Sequence, residues 1–222
     1  MKLSDLLNYD SVIIQCHNNP DADSIASGFA LLTWFREKGK NARLIYSGKA
    51  QISKPNLLLM VQELNIPIEH VESINGFDGL LITVDSQYGA GNIKRHDVKN
   101  VAIIDHHQQE IFDVPLTEIR SFLGSCSTLV WDMLVEEGFD VNNYPEVSTA
   151  LWYGLFCDTN GFSELNHPID RDMRDTLVAD KSLARRLRNS NLTLLDLETA
   201  GMALIRTSYN RKNRFAVIKT NP

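Results

Sequence analysis

Four short apolar runs punctuate the first half of the chain: "SVIIQC" (11–16), "ARLIYS" (42–47), "GLLITVD" (79–85) and "VAIID" (101–105). Each is continuous rather than alternating and ends in polar residues, the pattern of strands buried on both faces. Between the first two, "SIASGFALLTWFREKG" (24–39) places Ile25, Phe29, Leu32 and Phe35 near helical spacing and stops at Gly39. "KPNLLLMVQELN" (54–65) predicts a second helix with Pro55 in its first turn. Alternation of this kind predicts an α/β fold: a mainly parallel sheet, right-handed crossovers and helices on both faces.

The second half reads as more helical. "SCSTLVWDMLVEEG" (125–138) opens on Ser/Thr capping candidates and closes at Gly138. "PEVSTALWYGLFCDTNGF" (145–162) begins as a helix and breaks at Thr159-Asn160-Gly161. "RDMRDTLVADKSLARRLRN" (171–189) predicts one further helix, and "NSN" (189–191) a linker. A helix over 192–206 and a strand, "RFAVIK" (214–219), follow. A lone helix and strand cannot enclose a core. The tail is therefore expected to dock on the main domain, pair with another chain or begin a second domain. The expected division is 1–188 and 189–222. Trp34, Trp131 and Trp152 fall in helical apolar patterns and are expected in the core.

Composition narrows the picture. A chain of 222 residues can bury about 70% of its unfolded surface without disulfide staples. Asp and Glu number 28 against 22 Lys and Arg, a net charge of −6, which argues against gripping long duplex nucleic acid. A small phosphorylated substrate stays open, because bound cations reverse the sign of a local site. Cys16, Cys126 and Cys157 lie in apolar surroundings without CxxC spacing, and reduced, packed thiols are expected. The N-terminus lacks an apolar signal-type run, and no stretch approaches the ~20 apolar residues of a spanning helix. A cytoplasmic protein with no membrane partner is expected.

The strand ends carry the chemistry. In "HNNPDADSIASG" (17–28), His17, Asp21 and Asp23 follow the first run. Asp85 ends the third, Asp105, His106 and His107 end the fourth, and Asp158 sits in the break of "GLFCDTNG". One Asp after a strand is ordinarily a cap or turn residue. So many carboxylates and imidazoles at one sheet edge would repel unless cations lay among them. Imidazole with carboxylate also suits divalent metals that keep open positions. His70, His96 and His167 are expected as surface or hydrogen-bonded residues.

In order and at strand ends, these motifs resemble the DHH phosphoesterases, which include RecJ-type exonucleases, nanoRNase/pAp phosphatases and family II inorganic pyrophosphatases. The resemblance covers roughly residues 10–165. "GSCSTLVW" (124–131) and "GLFCDTNGF" (154–162) look most like the nanoRNase/pAp-phosphatase branch. It implies two divalent ions, Mn²⁺ first, with Mg²⁺ or Co²⁺ as alternatives. His17 and Asp21 would hold one and Asp23 the other, Asp85 would bridge them, and His106 and Asp158 would complete the second site. His107 would face a phosphate, with Asp105 orienting an imidazole. A hydroxide between the ions would attack phosphorus in a short oligonucleotide, dinucleotide or pAp. An inorganic pyrophosphatase and a non-catalytic nucleotide-binding module are the alternatives, and a homodimer is left open.

Two further residues are candidate substrate contacts. Ser125 opens a helix whose amides could meet a phosphate. Arg185 lies in "KSLARRLR" (181–188), where a solvated helix face competes with a nucleotide contact. Related enzymes carry a second, substrate-holding domain with a glycine-rich, His-ending motif. No such motif occurs in this sequence, so residues 189–222 are expected to be the incomplete start of that domain.

Overall fold

A computed structural model describes residues 1–191, 194–213 and 215–217. Strands β1 (Ser11–Gln15), β2 (Asn41–Tyr46), β3 (Ile68–His70), β4 (Leu80–Val84), β5 (Asn100–Asp105) and β6 (Leu116–Ile119) form one sheet. Their order is β3-β2-β1-β4-β5-β6, and every pairing is parallel. From β1 the chain runs outward in one direction through β2 and β3, then returns to β4 and runs outward in the other. The ends of β1 and β4 therefore meet at the point where strand order reverses, the crevice in which open parallel sheets hold ligands.

One face of the sheet carries the helices. Val12, Ile14, Leu44, Leu80, Ile82 and Ile104 pack with Ile25, Leu32 and Trp34 of α1 (Ala22–Glu37). The same core takes Leu129 and Leu134 from α3 (Cys126–Glu136) and Ala150 and Leu151 from α4 (Pro145–Asp158). Leu57 and Met60 of α2 (Pro55–Glu63) complete it along one edge. On the opposite face, Ile13, Ile45, Leu81 and Ile103 are covered by Tyr88, Ile74, Phe77, Val98, Ile111 and Val114, none of which lies in a helix. The α/β class and the parallel sheet are as the pattern predicts. The helices of the described residues pack on the first face, and β4–β5 and β5–β6 are joined by loops that cover the second.

Other differences are local. The helix expected over 171–189 is two helices, α5 (Pro168–Thr176) and α6 (Lys181–Asn189). Asp180 separates them: its carboxylate accepts the Ser182 and Leu183 amides at 2.8 and 3.0 Å and starts α6 afresh. Cys16 and Cys126 are buried thiols as expected, but Cys157, at the last turn of α4, is exposed. In the tail, α7 (Leu194–Ile205) and β8 (Phe215–Val217) lie within the predicted spans, and β8 pairs antiparallel with β7 (Ser208–Asn210). Residues 192–193, 214 and 218–219 of those spans lie outside the described residues. No residue of α7 is buried.

Candidate metal centre

The end of β1 delivers His17, and α1 begins at once. Asp21 is its N-cap: one carboxylate oxygen accepts the Asp23 and Ser24 amides at 3.0 Å each. The other lies 3.8 Å from His17 Nε2. Asp21 thus divides its oxygens between helix and site, and the bonds to His17 and to the helix amides hold its pKa down against burial. Asp23, the second residue of α1, is wholly buried. Its carboxylate accepts the Cys126 amide at 2.7 Å and the Ser127 amide at 2.8 Å, the first turn of α3. Charge-assisted bonds of this kind fix the carboxylate in place. Gly154 of α4 lets these helices meet, since a Cβ there would stand 2.3 Å from Ser127 Oγ and 3.1 Å from Asp23 Oδ1.

Asp85 lies between the two sides. It follows β4 in a left-handed backbone conformation (φ 57°), which Asp tolerates better than most residues. Its Oδ2 stands 3.7 Å from His17 Nε2, and its Oδ1 stands 3.3 Å from His106 Nε2. His106 Nε2 is also 3.2 Å from Asp158 Oδ2 and 4.0 Å from Asp23 Oδ2. The other ring nitrogen, Nδ1, is 3.3 Å from the Leu123 carbonyl. A proton held on Nδ1 by that carbonyl leaves Nε2 as the lone-pair donor of the neutral ring.

Three overlapping groups result: His17–Asp21–Asp85, Asp23–His106–Asp158 and Asp85–His106–His107, each with donor atoms within 4.8 Å of one another. The residues fit a divalent ion on a structural ground. Asp85 Oδ1 and His106 Nε2 are buried and face each other at 3.3 Å without hydrogen-bond geometry, so only charge attraction offsets their burial and an ion between them would satisfy both. Electrostatics agree. Burial, then the charges of Asp21 and Asp158, push Asp85 up to about 6 although His106 opposes them. Asp23 is raised well above the carboxylate range by burial and by Asp158 and Asp85. Burial favours a neutral His106, yet Asp158, Asp85 and Asp23 together push it up to about 11. The centre holds more negative charge than its own imidazoles balance.

Residues 11–157, more than half of the chain, match the DHH family, N-terminal domain. The chain belongs to the DHH family. An uncharacterized protein of Methanocaldococcus jannaschii is 25% identical over 197 residues, covering 87% of this chain and 40% of that protein. A probable manganese-dependent inorganic pyrophosphatase of Streptococcus thermophilus is 25% identical over 204 residues, covering 90% of this chain and 61% of the relative. Among solved structures, an exopolyphosphatase-related protein from Bacteroides fragilis superposes with a TM-score of 0.70 at 16% identity, covering 97% of this chain and 67% of that one. A putative family II inorganic pyrophosphatase from Methanococcus jannaschii gives 0.56 at 22% identity, covering 87% and 62%. These two likenesses concern the fold. The chain spans between two fifths and two thirds of these relatives.

The Asp-His-His motif of this DHH-family chain is set by residues outside it. Asp105 is buried, and its Oδ1 accepts the His106 amide at 2.9 Å and pairs with His107 Nδ1 at 2.8 Å. Its Oδ2 accepts from Gln87 Nε2 at 2.8 Å. Gln87 also donates to the Gln108 carbonyl at 2.9 Å and accepts the Glu110 and Ile111 amides at 2.7 and 2.9 Å. Its amide is fully used, clamping the end of β5 to the loop after it. Asp105 raises the pKa of His107, whose ring remains mostly exposed. Sequence pattern did not single out Gln87, because nothing marks a Gln three residues past a strand end as special.

Two expected substrate contacts are placed elsewhere. Ser125 is buried, and its Oγ accepts the Thr128 amide at 3.0 Å as the cap of α3. The Cys126 and Ser127 amides are taken by Asp23 and the Thr128 amide by Ser125 Oγ, so these first-turn amides face side chains of the chain itself. Arg185 makes no ion pair or hydrogen bond with the donor residues among the described residues and instead lines a recess between α4 and α6. Trp34 and Trp131 are core residues, but Trp152 is only half-buried and lines that recess. His70, His96 and His167 are hydrogen-bonded, to the Gly48 carbonyl, to Ser47 Oγ and to the Ile169 amide. No helix among the described residues is long and apolar enough to cross a membrane.

Proposed function

We propose that this chain carries the metal centre of a two-metal phosphoesterase acting on short nucleotide substrates, from pAp and dinucleotides to short oligonucleotides. The observation that carries the reading is Asp85, whose two oxygens face His17 on one side and His106 on the other. His17, Asp21 and Asp85 would hold one ion, and Asp23, Asp85, His106 and Asp158 the other. Manganese is the first choice, supported by the likeness to the probable manganese-dependent pyrophosphatase of Streptococcus thermophilus and by an imidazole–carboxylate donor set without thiolate. Bound divalent ions polarise phosphoryl oxygens and lower the pKa of coordinated water.

The chain's own residues do the rest. Asp105 holds the His107 Nδ1 proton, which points Nε2 away from Asp105 towards the open side. Its raised pKa keeps His107 protonated to higher pH, so it donates to a phosphoryl oxygen and offsets charge building there. Gln87 keeps Asp105 in register. Asp23, pinned by two amides, cannot swing away when an ion leaves. Residues 1–188 form the catalytic domain, and 189–222 begin a second, substrate-holding unit.

Inorganic pyrophosphate is the second reading, supported by that same relative's name. A substrate panel of pAp, dinucleotides, longer RNA and pyrophosphate, with and without Mn²⁺ after EDTA treatment, separates them. Hydrolysis of pAp or dinucleotides that EDTA abolishes and Mn²⁺ restores is expected. Full turnover by the chelated protein would remove the metal from the proposal, and turnover of pyrophosphate alone would replace the nucleotide.

A further inference from the structure

Between α4 and α6 lies a recess of about 160 Å³ lined by Trp152, Phe156, Lys181, Ala184, Arg185 and Arg188. An engineered cavity of about 150 Å³ accepts a benzene ring, so the space suits one flat ring. Trp152 and Phe156 lie one turn apart on α4, their rings nearly parallel at 10° with centroids 5.8 Å apart, and Phe162 braces both edge-on. Lys181 Nζ stands 3.8 Å from the centre of the Trp152 ring. Among the described residues neither Arg185 nor Arg188 pairs with a carboxylate, in a chain whose net charge is −6. No acidic residue lines the recess.

We infer that this recess binds a nucleotide at a distance from the metal centre, with the base against Trp152 and Phe156 and a phosphate on Arg185 and Arg188. Stacking on aromatic rings beside cations is the sequence-tolerant way to hold single-stranded nucleotides, and a bare phosphate would gain nothing from the rings. The inference rests on the nucleotide reading above and extends it. Asp158 ends the same helix that carries Trp152 and Phe156, six and two residues on, so the centre lies about 3 to 9 Å along the axis from these rings and on another side of the helix. A substrate of two or more nucleotides can place its reacting phosphate at the centre and a further base in the recess, where binding energy serves to align the reacting end.

Tryptophan fluorescence tests this directly, because Trp34 and Trp131 are buried and Trp152 reports on the recess. The probes are adenosine 5′-monophosphate, ribose 5-phosphate and inorganic pyrophosphate, titrated into the full chain with EDTA present so that the metal centre contributes nothing. Adenosine monophosphate is expected to quench saturably, and the two probes without a base to bind about tenfold or more weakly, in line with the worth of base stacking. Trp152→Phe should abolish the quench while calorimetry still detects binding. Arg185→Ala with Arg188→Ala should weaken it about tenfold or more. Asp85→Asn, which disables the metal centre, should leave it unchanged. The inference is overturned if the monophosphate does not quench, if pyrophosphate binds as well, or if the double arginine variant binds like the wild type. Mn²⁺-dependent dinucleotide hydrolysis without such binding would leave the proposed function standing and remove only the recess.

Discussion

Metal binding should expel a proton from His106. In the metal-free chain this imidazole is the internal counter-ion of Asp85, Asp158 and Asp23, which push it up to about 11 although burial opposes them. A divalent ion needs the Nε2 lone pair that this proton occupies. At pH 7 the proton is held about four pH units below its release point. Removing it costs between about 5 and 6 kcal/mol, at about 1.4 kcal/mol per unit. That is about a 10⁴-fold reduction in apparent affinity relative to an unprotonated site. Between pH 6.5 and 8.5 the Kd for Mn²⁺ should therefore fall at least about tenfold per pH unit, at least one proton leaving for each ion bound there, from His106 and from whatever fraction of the raised Asp23 carboxyl is protonated. Calorimetry in two buffers of different ionisation heat counts that proton. His106→Gln, which has no proton to lose, should bind more weakly but with a flatter pH dependence. Binding without net proton release, or with a pH-independent Kd over this range, would refute the assignment of His106 as ligand and counter-ion.

Other expectations follow from the same geometry. The metal-free fold should lose stability on the alkaline side: the His106 contribution is complete below about pH 6.5 and disappears as pH rises through about 11, so thermal melts of His106→Gln should lack that slope. Asp85→Asn should fold, since Asn also tolerates the φ of 57°, yet lose both ions by elemental analysis and several orders of magnitude in kcat; near-normal turnover with both ions bound would exclude the bridging role. Gln87→Leu strips Asp105 and the Glu110 and Ile111 amides of a partner. It should lower kcat with little change in KM or bound metal, and an unaltered kcat would show that Asp105 holds His107 unaided. Asp170→Ala removes the acceptor of the Gly124 and His167 amides and should cost about 2 kcal/mol in denaturant melts. Because that turn leads into the amides that hold Asp23, Mn²⁺ affinity should fall with it, whereas an unchanged affinity would uncouple the two.

The sequence by itself determined the layout of the centre. Continuous apolar runs can be buried only as strands of a covered sheet, and the residues at their ends then have to meet at one edge. For that reason His17, Asp85 and Asp105 to His107 were legible before any coordinates, and Asp158 was legible from the break at Thr159-Asn160-Gly161. β3 and β6 were not, because edge strands of three and four residues carry too short a pattern. Only the tertiary structure decided how backbone groups are shared. It turned the first amides of α3 towards Asp23 instead of leaving them free beside Ser125. It also placed Trp152 at a surface, because helical spacing says which residues share a side of α4 but not what lies beside them. α6 comes up against that side with Lys181, Arg185 and Arg188, and Asp180, by capping α6 separately from α5, sets its direction. Such contacts join residues far apart in sequence, so no local pattern encodes them.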